Sequence, residues 1–139
     1  MEIYFSGSIA GGREKQQDYF ELINYLKKFG TVLTEHVGNL NTEIEEKVKL
    51  SSKEDEHVYL RDTKWIDECD IVIADVSIPS LGVGYELGYA ESQNKKIICL
   101  YDIYSEKRLS FMVSGNSKNI IIQYKDLDDI KKELERYLI

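Results

Sequence analysis

Two glycine-bearing loops, each directly after an apolar run, hold the residue types best suited to binding a small polar ligand. The first loop reads SGSIAGGRE from Ser6, and the second reads SIPSLGVGYELG from Ser77. Glycines allow a ligand to approach the backbone closely, and the N–H groups at a following helix start suit an anion. The first loop is not a Walker A loop, because Arg13 stands where that motif needs lysine. A purely structural turn is the alternative there, whereas Ser80 and Gly82 form a plausible anion cradle.

Two carboxylates are candidates for catalysis. Glu86 lies in the first turn of a helix predicted over 83–94, beside its inward stripe, and a carboxylate at a crevice can act as a nucleophile. The alternative is an acidic side chain favoured only by the helix dipole. Asp62 shares a predicted helix over 53–68 with Trp65. For Asp62 the alternative is a charged residue on the solvent-exposed side of its helix, without a catalytic role.

The histidines and cysteines give weaker signals. His36 follows the second predicted strand, where it lies either near the crevice or as a structural hydrogen-bonding residue. Cys69 and Cys99 stand near or within apolar runs and are expected to be buried, reduced thiols. Without metal-ligand spacing among His, Cys and carboxylates, we expect no metal and no other cofactor.

Apolar runs alternate with segments of helical period along the chain. The predicted strands cover 2–7, 31–34, 70–76, 96–101 and 119–124. The predicted helices cover 14–29, 53–68, 83–94, 108–113 and 126–138. This alternation predicts an α/β fold, a flavodoxin-like or Rossmann-like three-layer sandwich with a five-stranded parallel sheet. Its crevice should lie at the carboxyl ends of the first and third strands.

Composition narrows the class of protein. The 139 residues, with 18 Lys+Arg against 25 Asp+Glu and a net charge of −7, predict one domain over 1–139 that does not bind nucleic acid. Neither a signal peptide nor a transmembrane run is visible, so we expect a cytoplasmic protein without a membrane partner. The polar stretch 36–52 is long for an α/β connection, and it is either a solvated loop or a lid.

At the level of whole motifs the chain resembles a known family. The segments YFSGSIAGGRE, FGTVLTEHV, SLGVGYELGYA and LSFMVSG closely resemble the 2′-deoxynucleoside 5′-phosphate N-hydrolases, within the nucleoside 2-deoxyribosyltransferase superfamily. The resemblance runs from Tyr4 to about Tyr137. It implies a flavodoxin-like homodimer that cleaves a 2′-deoxynucleoside 5′-monophosphate into free base and 2-deoxyribose 5-phosphate. The alternatives are a deoxyribosyltransferase with a nucleobase acceptor and a nucleotide-sensing domain without turnover.

The resemblance also implies roles for individual residues. Glu86 is similar to the nucleophile, and Asp62 to the residue that assists the departing base. Ser80 and Gly82 match phosphate-binding positions, and Ser110 matches a serine that reaches the partner subunit's phosphate site. The other positions implied to bind substrate are Tyr4, Phe5, Gly7, Ser8, Ile9, Ala10, Gly11, Arg13, Tyr19, His36, Phe111 and Met112.

Two segments of the chain raise questions about what the resemblance implies. Ala10 replaces an arginine common in the family, which puts the base preference in question. Phe111, Met112 and Val113 form an apolar surface expected near a dimer interface. Their alternative is a short helix packed on its own sheet.

Overall fold

Five strands form one sheet in residues 1–8, 15–35 and 52–139, the part of the chain that this computed structural model describes. The strands are β1 (Glu2–Ser6), β2 (Thr31–Val32), β3 (Ile71–Asp75), β4 (Lys96–Asp102) and β5 (Ile120–Tyr124). All neighbouring pairs are parallel, and the order is β2-β1-β3-β4-β5. The order reverses between β1 and β3, which confirms the predicted flavodoxin-like sheet and places the crevice at their carboxyl ends.

Helices cover both faces of the sheet. They are α1 (Gln16–Leu26), α2 (Ser52–Glu68), α3 (Leu81–Ser92), α4 (Phe111–Ser114) and α5 (Leu127–Leu138). Side chains that alternate along each strand point to opposite faces. Ile3 and Phe5 therefore pack with α1 and α5, whereas Tyr4 packs with residues of α2 and α3. The two buried clusters make the predicted three-layer sandwich.

The second strand is shorter than predicted, because a side chain takes over its pairing. Thr34 is 1% exposed, and its hydroxyl accepts the Phe5 N–H at 2.8 Å and donates to the Phe5 carbonyl at 2.7 Å. These two bonds satisfy the backbone groups of Phe5 that a longer β2 would have paired.

The helix that carries Glu86 begins earlier than predicted. Ser80 is its N-cap, with the hydroxyl accepting the Val83 N–H at 3.3 Å, and α3 starts at Leu81 instead of residue 83. Glu86 therefore lies in the second turn, and the expectation of a first-turn carboxylate was wrong. The helix dipole acts within the first turn, so it does not account for an acidic residue here.

Several predicted features fall outside the described residues. These are Ile9, Ala10, Gly11, Arg13, His36 and the stretch 36–51. Among the described residues, no helix is both long and apolar enough to cross a membrane. Cys69 and Cys99 are buried free thiols, as predicted, and burial raises their pKa to about 11 and about 12.

Candidate active site

The carboxylate of Glu86 is held by two residues of β1. The Ser6 hydroxyl donates to Oε2 of Glu86 at 2.8 Å, and the phenol of Tyr4 is also hydrogen-bonded to Glu86. Tyr4 and Ser6 are two residues apart on one strand, so both side chains point toward α3. Tyr4 is 1% exposed. Two donors thus fix a half-buried carboxylate at the carboxyl end of β1.

A second carboxylate lies close to the first. Asp62 on α2 and Glu86 both raise the pKa of the Tyr4 phenol, although burial of the phenol is the largest cause of the increase. The Arg61 Nε donates to Oδ1 of Asp62 at 2.9 Å, and the Arg61 guanidinium lies 5.0 Å from the centre of the Trp65 ring. Arg61 therefore orients Asp62 while stacking on Trp65.

A cavity of about 670 Å³ between α2 and α3 contains both carboxylates. Its size is in the range that holds small organic ligands. Tyr59 and Tyr85 line it as an edge-to-face pair with ring centres 6.3 Å apart, and Gly82 lies on its wall. The cavity therefore brings Glu86 and Asp62 together with an aromatic surface and the first turn of a helix. It is referred to below as the α2–α3 cavity.

The residues expected to bind phosphate do not all line this cavity. Gly82 lines the α2–α3 cavity, whereas Ser80 and Ser110 line a second cavity of about 1130 Å³. The second cavity, referred to below as the α3–α4 groove, also contains Phe111 and Met112. Tyr85 lines both cavities, so they meet at the N-terminal half of α3.

Three positions predicted to bind substrate have structural roles. Phe5 and Tyr19 are 0% and 1% exposed and pack edge to face at 5.4 Å, on the face of the sheet opposite Tyr4. Neither lines the α2–α3 cavity or the α3–α4 groove as described. A Cβ at Gly7 would lie 2.9 Å from the Tyr19 ring, so packing alone accounts for glycine there. Ser8 is 4% exposed.

Sequence reasoning missed Ser6 as a contact of Glu86. The available signal was its position two residues after Tyr4, at the carboxyl end of β1, because alternation places the two side chains on one face. Tyr59 and Tyr85 were also missed. In the described part of the chain, no group of three His, Cys, Asp or Glu side chains is arranged to hold a metal ion.

The sequence matches a known protein family over most of its length. The profile of the family described as nucleoside 2-deoxyribosyltransferase matches residues 3–122. The chain belongs to the nucleoside 2-deoxyribosyltransferase family. The matched range of this deoxyribosyltransferase-family member includes Tyr4 and Ser6 of β1, as well as Asp62, Glu86 and Ser110.

Relatives from animals are similar over nearly the whole length. A protein of Nematostella vectensis provisionally named 2′-deoxynucleoside 5′-phosphate N-hydrolase 1 is 45% identical over 130 residues, which are 91% of this chain and 87% of that protein. The 5-hydroxymethyl-dUMP N-hydrolase of Danio rerio is 41% identical over 141 residues, covering 99% of this chain and 95% of the relative. These relatives confirm the predicted kind of enzyme, an N-glycosidase.

A solved structure agrees with the fold of this deoxyribosyltransferase-family member. The Clostridium botulinum CMP N-glycosidase BcmB is similar with a TM-score of 0.68 and 24% identity, over 99% of this chain and 100% of that chain. At this identity the likeness concerns the fold alone.

Proposed function

We propose that the protein hydrolyses the N-glycosidic bond of 2′-deoxynucleoside 5′-monophosphates, with Glu86 as the nucleophile. The observation that carries this proposal is the pair of β1 donors on Glu86, from Ser6 and Tyr4, beside Asp62. A nucleophilic carboxylate needs a fixed direction toward the anomeric carbon, and two hydrogen bonds provide it. The N-hydrolase names of relatives at 41–45% identity support the same reaction.

The reaction divides into two steps. In the first, a Glu86 oxygen bonds to C1′ as the C–N bond to the base breaks through an oxocarbenium-like transition state. Asp62 supports the departing base with a proton or a hydrogen bond. In the second, water attacks C1′ and loses a proton to Asp62 or to solvent, which balances the proton taken up by the base, while the bond to Glu86 breaks and the carboxylate is regenerated. The products are the free base and 2-deoxyribose 5-phosphate.

Recognition of the 5′-phosphate is assigned to the start of α3. Ser80 and Gly82 lie at this helix N-terminus, where backbone N–H groups and the helix dipole favour an anion. A phosphate held there anchors the sugar beside Glu86, which lies in the next turn. Nucleosides without the phosphate are therefore expected to be poor substrates.

The active unit is assigned as a homodimer that forms through the α3–α4 groove. Leu81 and Met112 in this groove are 96% and 85% exposed, and Phe111 is exposed beside them. Large apolar side chains gathered at one exposed face are typical of a protein interface. Ser110, the N-cap of α4, lies in the same groove. In the dimer, Ser110 of the partner subunit completes the phosphate site.

Transfer to a second base is the other candidate reaction, because the matching family profile is described as a deoxyribosyltransferase. One assay separates the two reactions. The protein is incubated with the four common deoxynucleoside monophosphates and with 5-hydroxymethyl-dUMP, with and without an added free base. Hydrolysis yields free base and 2-deoxyribose 5-phosphate whether or not an acceptor is present. A new nucleotide that forms only with the acceptor would favour transfer, and binding without any product would contradict both reactions.

A further inference from the structure

A buried polar cluster lies on the face of the sheet opposite the candidate active site, at the same carboxyl edge of the strands. The Tyr124 hydroxyl donates to Oδ2 of Asp75 at 2.6 Å, and the Ser77 N–H donates to Oδ1 of Asp75 at 2.9 Å. The Lys15 ammonium contacts Asp102, lies 3.3 Å from the Tyr124 hydroxyl and lies over the Tyr124 ring. The five residues join the ends of β3, β4 and β5 to the start of α1. They are referred to below as the Asp75 cluster.

Three of the five residues of the Asp75 cluster are almost fully removed from water, while Lys15 and Asp102 are partly exposed. Asp75, Ser77 and Tyr124 are 3%, 1% and 4% exposed. Burying a carboxylate costs free energy unless hydrogen bonds satisfy it, and removal of one partner then leaves the other unpaired. The Tyr124 hydroxyl, the Ser77 N–H and the Ser77 hydroxyl all form hydrogen bonds to Asp75 here. Apolar residues would fill the same volume without this cost, so the polar groups need another explanation.

Ser77 connects the cluster to the active site. Its N–H is held by Asp75, its hydroxyl accepts the Asp102 N–H at 2.8 Å, and its carbonyl accepts the Ser105 hydroxyl at 2.7 Å. The preceding residue, Val76, donates its N–H to the Leu100 carbonyl at 2.9 Å. Every polar group of Ser77 is therefore bonded to a neighbouring part of the sheet edge.

Only two residues separate Ser77 from Ser80. Ser80 caps α3, so the position of Ser77 determines where the first turn of α3 and Gly82 lie. The peptide between them contains Pro79, which restricts the backbone further. A shift of Ser77 would therefore be transmitted to the helix start instead of being absorbed by the loop.

We propose that Asp75 and Tyr124 are positioning residues that hold the start of α3 in place for the 5′-phosphate. The proposal rests on the function proposed above, because it assigns the phosphate to Ser80 and Gly82. Neither side chain lines the α2–α3 cavity or the α3–α4 groove, so both act through Ser77 and the loop that follows it.

The test compares two substitutions that each delete one buried phenol hydroxyl. Tyr124→Phe removes the donor to Asp75. Tyr25→Phe is the matched control, since Tyr25 is also buried and its hydroxyl contacts the Lys131 carbonyl at 3.1 Å and Glu135 at 3.2 Å, away from the site. Asp75→Asn is a second variant that keeps the shape of the side chain. All variants are checked for folding by thermal denaturation.

The readout is the ratio of kcat/KM for a deoxynucleoside monophosphate to kcat/KM for the same nucleoside without phosphate. A variant that is only less stable loses activity on both substrates equally, so the ratio is insensitive to the folded fraction. We expect Tyr124→Phe and Asp75→Asn to lower the ratio about 10- to 100-fold through KM, the scale of a binding group displaced by about 1 Å. Tyr25→Phe should leave the ratio unchanged. An unchanged ratio in both cluster variants would overturn the positioning role.

Binding measurements keep this proposal separate from the proposed reaction. Calorimetry gives the dissociation constants of the monophosphate and the nucleoside for each variant, without requiring turnover. Wild-type hydrolysis with an unchanged binding ratio in the cluster variants would contradict the positioning role alone. A wild-type protein that prefers the monophosphate, loses this preference in the cluster variants and releases no base would contradict the reaction and support the positioning role.

Discussion

The Ser6 hydroxyl lies 2.8 Å from Oε2 of Glu86, although the two residues are 80 positions apart in the chain. The contact exists because β1 and β3 are adjacent parallel strands, so that the end of β1 and the helix α3 that follows β3 lie at the same edge of the sheet. A serine at the end of one strand thereby orients an acidic residue of a helix that follows another.

Ser6→Ala should lower kcat by about 10- to 100-fold, because a hydrogen bond to a charged group contributes about 1.5–3 kcal/mol. KM should change little if the bond acts on the nucleophile and not on the substrate. Steady-state kinetics measure both quantities. Ser92→Ala is the control, since Ser92 on the same helix donates its hydroxyl only to the Tyr89 carbonyl, at 2.6 Å, among the described contacts. Equal kinetics in the two variants would contradict the role of Ser6.

Asp62→Asn should show a loss of rate that depends on the leaving group. For natural nucleotides we expect a decrease in kcat of about 10²–10⁴-fold, the usual contribution of a general acid. A 2-deoxyribosyl 5-phosphate that carries a nitrophenolate group needs no proton on departure, so its rate should fall much less. Asp128→Asn, an exposed residue of α5, serves as the control. The same loss with both leaving groups would exclude assistance of the departing base.

Tyr4 should make the stability of the protein fall at high pH. Burial raises the pKa of its phenol above the usual value of about 10, and Glu86 and Asp62 raise it further. Because the folded-state pKa exceeds the unfolded one, this contribution is complete below about pH 10. It is lost above that pH, where only the unfolded phenol ionises, at about 1.4 kcal/mol per pH unit.

Urea denaturation between pH 9 and 11 checks this prediction, since Tyr4→Phe should show a shallower decrease in the free energy of unfolding than wild type. Identical slopes would show that Tyr4 ionises equally well in the folded protein.

The shared phosphate site can be tested by subunit exchange. Glu86→Gln protein and Ser110→Ala protein are each expected to be weakly active. A mixed dimer combines the intact Glu86 of one subunit with Ser110 of the partner subunit, which restores one of its two sites. Random exchange of equal amounts should therefore restore about a quarter of the sites. Activity that stays at the average of the two variants, after native mass spectrometry has shown mixed dimers, would contradict sharing.

Much of the fold could be predicted because hydrophobic periodicity and residue composition determine helices and strands from nearby residues alone. Apolar runs predicted the strands, and the alternation of strands with helices predicted that neighbouring strands are parallel. The failures have a different origin. The early end of β2 depends on the Thr34 side chain meeting Phe5, and the start of α3 at Leu81 depends on the Ser80 cap. Each contact determines where a strand ends or a helix begins, which hydrophobic periodicity alone does not determine.

The candidate site was predictable only in part. Glu86 and Asp62 could be predicted because each is a carboxylate, which suits catalysis, and because each matches a motif position of the family. Ser6, Tyr124 and Asp75 act through contacts between distant parts of the chain, so their residue types gave little indication of their neighbours. Phe5 and Tyr19 illustrate the reverse case, because they belong to a recognisable motif and yet pack in the core.

The most direct test of the account is the release of free base by Glu86→Gln protein, compared with wild type and with Glu133→Gln, an acidic residue of α5 paired with Arg136. Chromatography of a reaction with a 2′-deoxynucleoside 5′-monophosphate measures free base and 2-deoxyribose 5-phosphate together. Wild type and Glu133→Gln should form both products in equal amounts, whereas folded Glu86→Gln should bind the nucleotide and lose at least about 10²-fold in kcat. Near wild-type release of base by folded Glu86→Gln protein would contradict the assignment of Glu86 as the nucleophile.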